Sequence, residues 1–304
     1  MANCLIAWPN RSDAGTLTGS PWSSALPVAN LQNRFLTNYA RTTATALFTP
    51  SPAIPDGSQC SAVVNVNFGL ARYTTAMALL HHNLSLSANV RLVLWQDPAN
   101  TIPVYDSGWQ PAWPRYYDTL SLRYNDSNFL YGQLSLDDFG VVPSIFLQMV
   151  GTPNVPANAT PAQYASIYIQ DPSNPAGYIQ IGRLYMAEDW TPVRNMSYGD
   201  TSLAWVDPTV VDTSLDGTEY YEERSKYREA VFTLKYMSNT EGVTMALRMT
   251  QNRGVSGDVL YVFDPANPQL LQQRSFVGRL EELSPLVYSQ FGLTSMAFKI
   301  KELV

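Results

Sequence analysis

His81 and His82 are adjacent and are the only histidines in the chain. A serine or cysteine nucleophile would need one of them as its base. On a strand, successive side chains point to opposite faces, so at most one of the two could enter a given pocket. The plainer reading is a strand end or loop position with ordinary hydrogen bonds. Asp97, Asp106, Asp118 and Asp126 lie in connections, where two carboxylates could in principle flank a glycosidic bond. Asp97-Pro98 and Asn125-Asp126-Ser127 are also standard turn chemistry, which accounts for them without a reaction. Cys4 and Cys60 have neither metal-ligand nor disulfide-framework spacing. Nucleophile-elbow, phosphate-loop, dinucleotide and zinc-protease motifs are missing. The sequence therefore assigns no catalytic residue, no metal ligand and no cofactor, and a non-enzyme is expected.

The segment Trp109-Gln110-Pro111-Ala112-Trp113-Pro114-Arg115-Tyr116-Tyr117 is the best candidate for binding. Its prolines discourage strand pairing, which makes it a loop or a sheet edge. Trp109, Trp113, Arg115, Tyr116 and Tyr117 could anchor a protein partner or a sugar ring. The same rings could instead plug one end of a core, and the residues alone leave all three readings open.

These side chains need a scaffold, and composition bounds it. Only 14% of the 304 residues are charged and 45% are hydrophobic. That is a charge-poor chain beside the roughly 25% of an average soluble domain, and it suits a packed assembly. A net charge of −6 without basic clusters argues against nucleic acid as a partner. The start of the chain lacks a basic segment followed by an apolar one, and no apolar run is long enough to span a bilayer. Cytoplasmic synthesis with no membrane span is the expectation.

Charge also divides the chain. All four lysines, Lys226, Lys235, Lys299 and Lys301, lie beyond residue 190. Two modules are expected, 1–190 and 191–304. In the first, short β-rich runs at 60–68, 90–95, 144–150, 165–170 and 178–186 are bounded by Gly, Pro, Asn or Asp, the pattern of a sandwich or jelly roll. Residues 151–161 are breaker-rich and read as a surface loop. In the second, 228–236 alternates, Ser238-Asn239-Thr240-Glu241 is a capping box opening a short helix, and strands follow at 258–263, 274–283 and 295–303. The expected class is all-β: an N-terminal jelly-roll sandwich and a C-terminal β-sandwich with one short α-helix.

The first module resembles a galactose-binding-like, discoidin-type jelly roll. The likeness rests on Trp22, Leu26 to Leu31, His82-Asn83-Leu84-Ser85, Val90-Arg91, Asp106-Ser107-Gly108-Trp109 and Tyr178 to Arg183. This order is similar to a family of tail proteins of long-tailed bacteriophages. The second module resembles tail-tube and distal-tail proteins in 228–236, the capped helix, Gly257 to Asp264 and Phe298-Lys299-Ile300. Distal-tail proteins usually place the ring-forming domain first, and here the order is reversed. The resemblance implies a structural protein of the virion tail tip or baseplate. It would form a homo-oligomeric ring of three- or six-fold symmetry and contact the tail tube, baseplate hub, tape measure or fibres. The alternative is a carbohydrate-binding module that attaches the tail to host glycans.

Overall fold

The computed structural model describes residues 2–113, 144–148, 161–267 and 270–304. The chain is all-β and separates into two compact units. One comprises Pro9–Asp189 with Pro265–Gln273, and the other Met1–Trp8, Trp190–Asp264 and Arg274–Val304. This differs from a single cut between 190 and 191. The first residues join the later unit because Leu5–Ala7, fully buried, pairs antiparallel with Asp258–Val262. Without that strand, the apolar sequence of Asp258–Val262 would present an open edge.

The unit built on Pro9–Asp189 is a sandwich of two antiparallel sheets. The larger runs Thr16–Ser20, Ala62–Arg72, Ala162–Gln170, Asn89–Trp95, Pro103–Asp106, with Gln110–Pro111 also beside Asn89–Trp95. The smaller runs Ala40–Arg41, Gln180–Ala187, Ala76–His82, Ser144–Gln148. Alternation places Val64, Val66, Phe68, Leu92, Leu94, Ile167 and Ile169 in the core, with Met77, Leu79 and Ile181 from the other sheet. The expected strands are present, the run expected at 144–150 being described as far as Gln148. Thr16–Ser20 was not expected, because its sequence, Thr-Leu-Thr-Gly-Ser, carries no apolar stripe. It is exposed and, among the described residues, is an edge strand paired on one side only. The breaker-rich 151–160 lies outside the described residues.

In the other unit, the sheet continues from Asp258–Val262 through Ser275–Leu280, Leu293–Glu302 and Tyr227–Ser238 to Ser202–Val206. Phe232 stacks on Tyr261 and Phe298 at ring separations of 5.1 and 5.4 Å. Ser238 caps the helix that follows: its Oγ accepts from the Glu241 amide at 3.1 Å. The middle turn, Gly242–Leu247, is widened to π geometry. A separate hairpin, Val210–Thr213 with Glu219–Glu222, is exposed along its whole length. Among the described residues, no helix is long and apolar enough to cross a membrane.

Candidate functional site

The aromatic segment divides between core and surface. Trp113 is 1% exposed. Its indole N–H donates to the Leu84 carbonyl at 3.0 Å, and the Ala112 amide donates to Ala88 at 2.9 Å. These bonds draw the ring into the sandwich core, edge-on to His82 at 5.1 Å. This corrects the reading of Trp113 as a surface anchor: its apolar face and its one donor are both used internally. Arg115, Tyr116 and Tyr117 lie outside the described residues, as do Asp118 and Asp126. Trp109 is half-buried, its Nε1 donating to Ser58 Oγ at 3.2 Å.

His81 is half-buried, its Nδ1 3.3 Å from the Leu36 carbonyl and its Nε2 3.4 Å from the Tyr39 hydroxyl, and His82 is buried. His82 ends its strand, and its Nδ1 accepts from the Leu84 amide at 3.2 Å. Burial pushes its pKa down to about 3, so it is a poor proton acceptor at neutral pH. Asp97 closes its own turn, accepting from the amides of Thr101 and Ile102 at 2.9 and 2.8 Å. Cys4 and Cys60 are buried thiols, each pushed up to about 12 by desolvation.

Asp106 instead joins a cluster around Arg91. Arg91 sits on Asn89–Trp95 with its guanidinium on the outer face of the larger sheet. Nε and Nη2 donate to the two oxygens of Asp106 at 2.8 and 2.6 Å, and Nη1 donates to Asp56 at 2.5 Å. The Arg91 side chain is 7% exposed and that of Asp56 48%. Asp56 also accepts from the Ser58 hydroxyl and amide, which, with Arg91 in support, hold its pKa down to about 2. Asp56 and Ser58 belong to a segment, 48–60, that folds over the outer face. There Ile54, Cys60 and the half-buried Phe48 pack on Val63, Val93, Trp95 and Tyr168. The Tyr168 hydroxyl donates to Pro52 at 3.1 Å, and Asn65 Nδ2 donates to Ser51 at 3.1 Å. Arg91, Asp56, Ser58 and Trp109 are thus a latch that fastens this segment to the sheet.

What the segment leaves uncovered is a cleft of about 440 Å³. Strand register builds its floor. Thr16 pairs with Asn67, Asn67 with Tyr164, and Tyr164 with Trp95 in one cross-strand row; Thr18, Asn65, Ser166 and Val93 form the next. Thr16, Thr18, Asn65, Asn67 and Tyr164 line the floor, Ser51 and Pro52 one side, and Pro98, Ala99 and Asn100 another. The lining contains hydroxyls, amides and one phenol ring, and no carboxylate, ammonium, guanidinium, imidazole or thiol. Such a surface forms directional hydrogen bonds to neutral polar groups and offers an aromatic face. No sequence motif marks it, because its residues come from five separate stretches, and those of the floor share a face only through register.

No protein-family model matches the chain, and no curated protein sequence matches it. Solved structures similar to it include the lectin domain of Lectinolysin complexed with Lewis B antigen, at 10% identity and TM-score 0.35, covering 59% of this chain and 96% of that one. The family 32 carbohydrate-binding module of C. perfringens NanJ, in complex with galactose, is similar at 12% identity and TM-score 0.36, covering 60% and 99%. A fucolectin from the serum of Morone saxatilis, striped bass, is similar at 8% identity and TM-score 0.35, covering 96% and 92%.

Proposed function

We propose that the chain binds rather than catalyses, and that its sandwich unit holds a glycan in the polar cleft. The observation that supports this is the lining: Thr16, Thr18, Asn65, Asn67, Ser51 and Tyr164 supply donors, acceptors and a ring face without a charge. Sugars present hydroxyl pairs and an apolar ring face, which call for that combination. A glycan array, followed by titration of the best sugars with wild type and Tyr164→Ala, tests the reading. Binding that Tyr164→Ala weakens is expected; absence of any sugar binding overturns it.

A second reading, assembly into a virion tail tip as a ring with other tail proteins, is favoured by the other unit. Its edge strand Ser202–Val206 exposes Leu203 and Trp205, and the adjoining hairpin exposes Val211, Leu215, Tyr220 and Tyr221. A two-stranded hairpin is marginal in water by itself, and an open edge with large apolar side chains is a natural contact for another chain. Electron microscopy and sedimentation of purified protein test it. Closed rings of three- or six-fold symmetry are expected, and a protein that stays monomeric at high concentration overturns it.

A further inference from the structure

We infer that the cleft receives the end of an uncharged, extended glycan chain, about two rings deep, with the remainder leaving across the edge strand Thr16–Ser20. The inference rests on the glycan reading and adds the chain's chemistry, direction and depth.

Direction follows from the register. Thr16, Asn67 and Tyr164 stand in one row on three successive strands. Neighbouring strands lie about 4.8 Å apart, so the row offers a hydroxyl, an amide and a phenol over roughly 10 Å. An extended pyranose chain repeats on a similar scale, so a chain lying across the strands meets one polar side chain per ring. A chain lying along the strands would run into Ser51 and Pro52, held over the lower rows by Asn65 and Tyr168.

Depth follows from the two ends of the row. At the Trp95 end, the turn after Asn89–Trp95 brings Pro98, Ala99 and Asn100 alongside Tyr164 as lining. At the other end, Thr16–Ser20 is the sheet edge and is exposed. Among the described residues the cleft is therefore closed at one end and open at the other, which admits a terminus and not a mid-chain segment. Asn100 stands at the closed end with left-handed backbone, φ 55°, and its side-chain oxygen is buried with no hydrogen-bond partner. An unpaired buried acceptor is costly, and rotation of the Asn100 side chain to turn this oxygen toward the cleft would let a terminal hydroxyl donate to it.

Chemistry follows from charge. With no cation in the lining, a carboxylated sugar would lose hydration there without an ion pair in return. Neutral chains are selected on that ground.

The experiment is calorimetric titration of the full chain. The probes are cello- and chito-oligosaccharides of one to six units, oligogalacturonates of the same lengths, and the neutral trimers blocked at either terminus. Affinity should rise at least tenfold from one unit to two or three and then level off. One blocked terminus should abolish binding while the other leaves it unchanged, and the galacturonates should bind at least tenfold more weakly. Tyr164→Ala and Asn100→Ala should each weaken the neutral trimer at least fivefold. Thr16→Val, at an exposed edge position, provides a second test of the row if either variant melts early. Single sugars binding as tightly as trimers, trimers tolerating both blocks, or galacturonates binding equally would overturn this inference while leaving a glycan-binding cleft. Oligosaccharide binding untouched by all three variants would place the site elsewhere and overturn it too. If no sugar in the panel binds, the inference and the reading beneath it both fall.

Discussion

Arg91 and Asp56 lie 35 residues apart in sequence and meet at 2.5 Å, the strand residue donating to the covering-segment residue. That contact, with Asp106 on the opposite side of the guanidinium, fixes where segment 48–60 sits and hence where Ser51 and Pro52 bound the cleft. Arg91→Ala leaves Asp106, whose side chain is 27% exposed, without its bidentate partner. A loss of about 2 kcal/mol is expected, between that of a broken buried pair and that of an exposed one. Asp56→Asn removes a half-exposed, solvent-screened partner and should cost less than about 1 kcal/mol. Urea denaturation of both variants checks the order, and equal losses would show that the segment is held by packing alone.

The same pair sets a pH dependence. The Asp56 pKa is lowered in the fold to about 2, below the ordinary range of an aspartate. A depressed carboxylate contributes stability above its unfolded value and loses it as pH falls toward its folded one. The latch should therefore loosen between about pH 4 and pH 2. Fluorescence of Trp109, read as the difference between wild type and Trp109→Phe, should report a transition there, absent in Asp56→Asn. A transition unchanged in Asp56→Asn would assign it to another carboxylate.

His82 supplies a window at higher pH. It is fully enclosed, and burial lowers its pKa from 6.5 to about 3. The unfolded chain then binds a proton that the folded one refuses between those values, so stability rises with pH across the window. Denaturation midpoints measured at pH 4, 5, 6 and 7 should climb, and His82→Gln should flatten the slope. An unchanged slope in that variant would mean that His82 is not enclosed as described.

Trp113→Ala separates core from surface. Removing a fully buried indole should cost about 3–5 kcal/mol, read as a drop in melting temperature. At a temperature where the variant is still folded, glycan affinity should be within twofold of wild type. Intact stability with lost binding would restore the ring as a ligand anchor.

How much of this was legible depends on what a residue's neighbours in sequence reveal. Ala62–Arg72, Tyr227–Ser238 and Leu293–Glu302 alternate apolar and polar residues because one face is buried, and that period survives in the sequence. The Ser238 cap was legible because donor and acceptor are three residues apart. The cleft was not, since Thr16, Asn67 and Tyr164 become neighbours only once two strand pairings fix their register. Segment 48–60 reads as proline-rich turn, and nothing local says that it covers a sheet. One signal was present: Arg91 interrupts the apolar run Val90 to Trp95, and a charge on a buried strand requires partners. The sequence could not name Asp56 and Asp106 as those partners. Trp113 was ambiguous because a ring between prolines suits a core plug as well as an anchor.

Arg228 and Glu302 carry the corresponding argument in the other unit. Their side chains are 2% and 3% exposed. Glu302 accepts from the Arg228 amide at 2.9 Å and from its Nε at 2.8 Å, joining the ends of Tyr227–Ser238 and Leu293–Glu302. The guanidinium also lies 5.1 Å from the Phe276 ring. Removing one partner strands a desolvated charge, so Arg228→Met or Glu302→Gln should each cost about 3–5 kcal/mol. Replacing both at once, Arg228→Met with Glu302→Leu, removes the desolvation cost together with the attraction and should cost much less than the sum. A double variant as unstable as the two singles added would mean that the pair, and not the apolar strands around it, fixes how these two strands join.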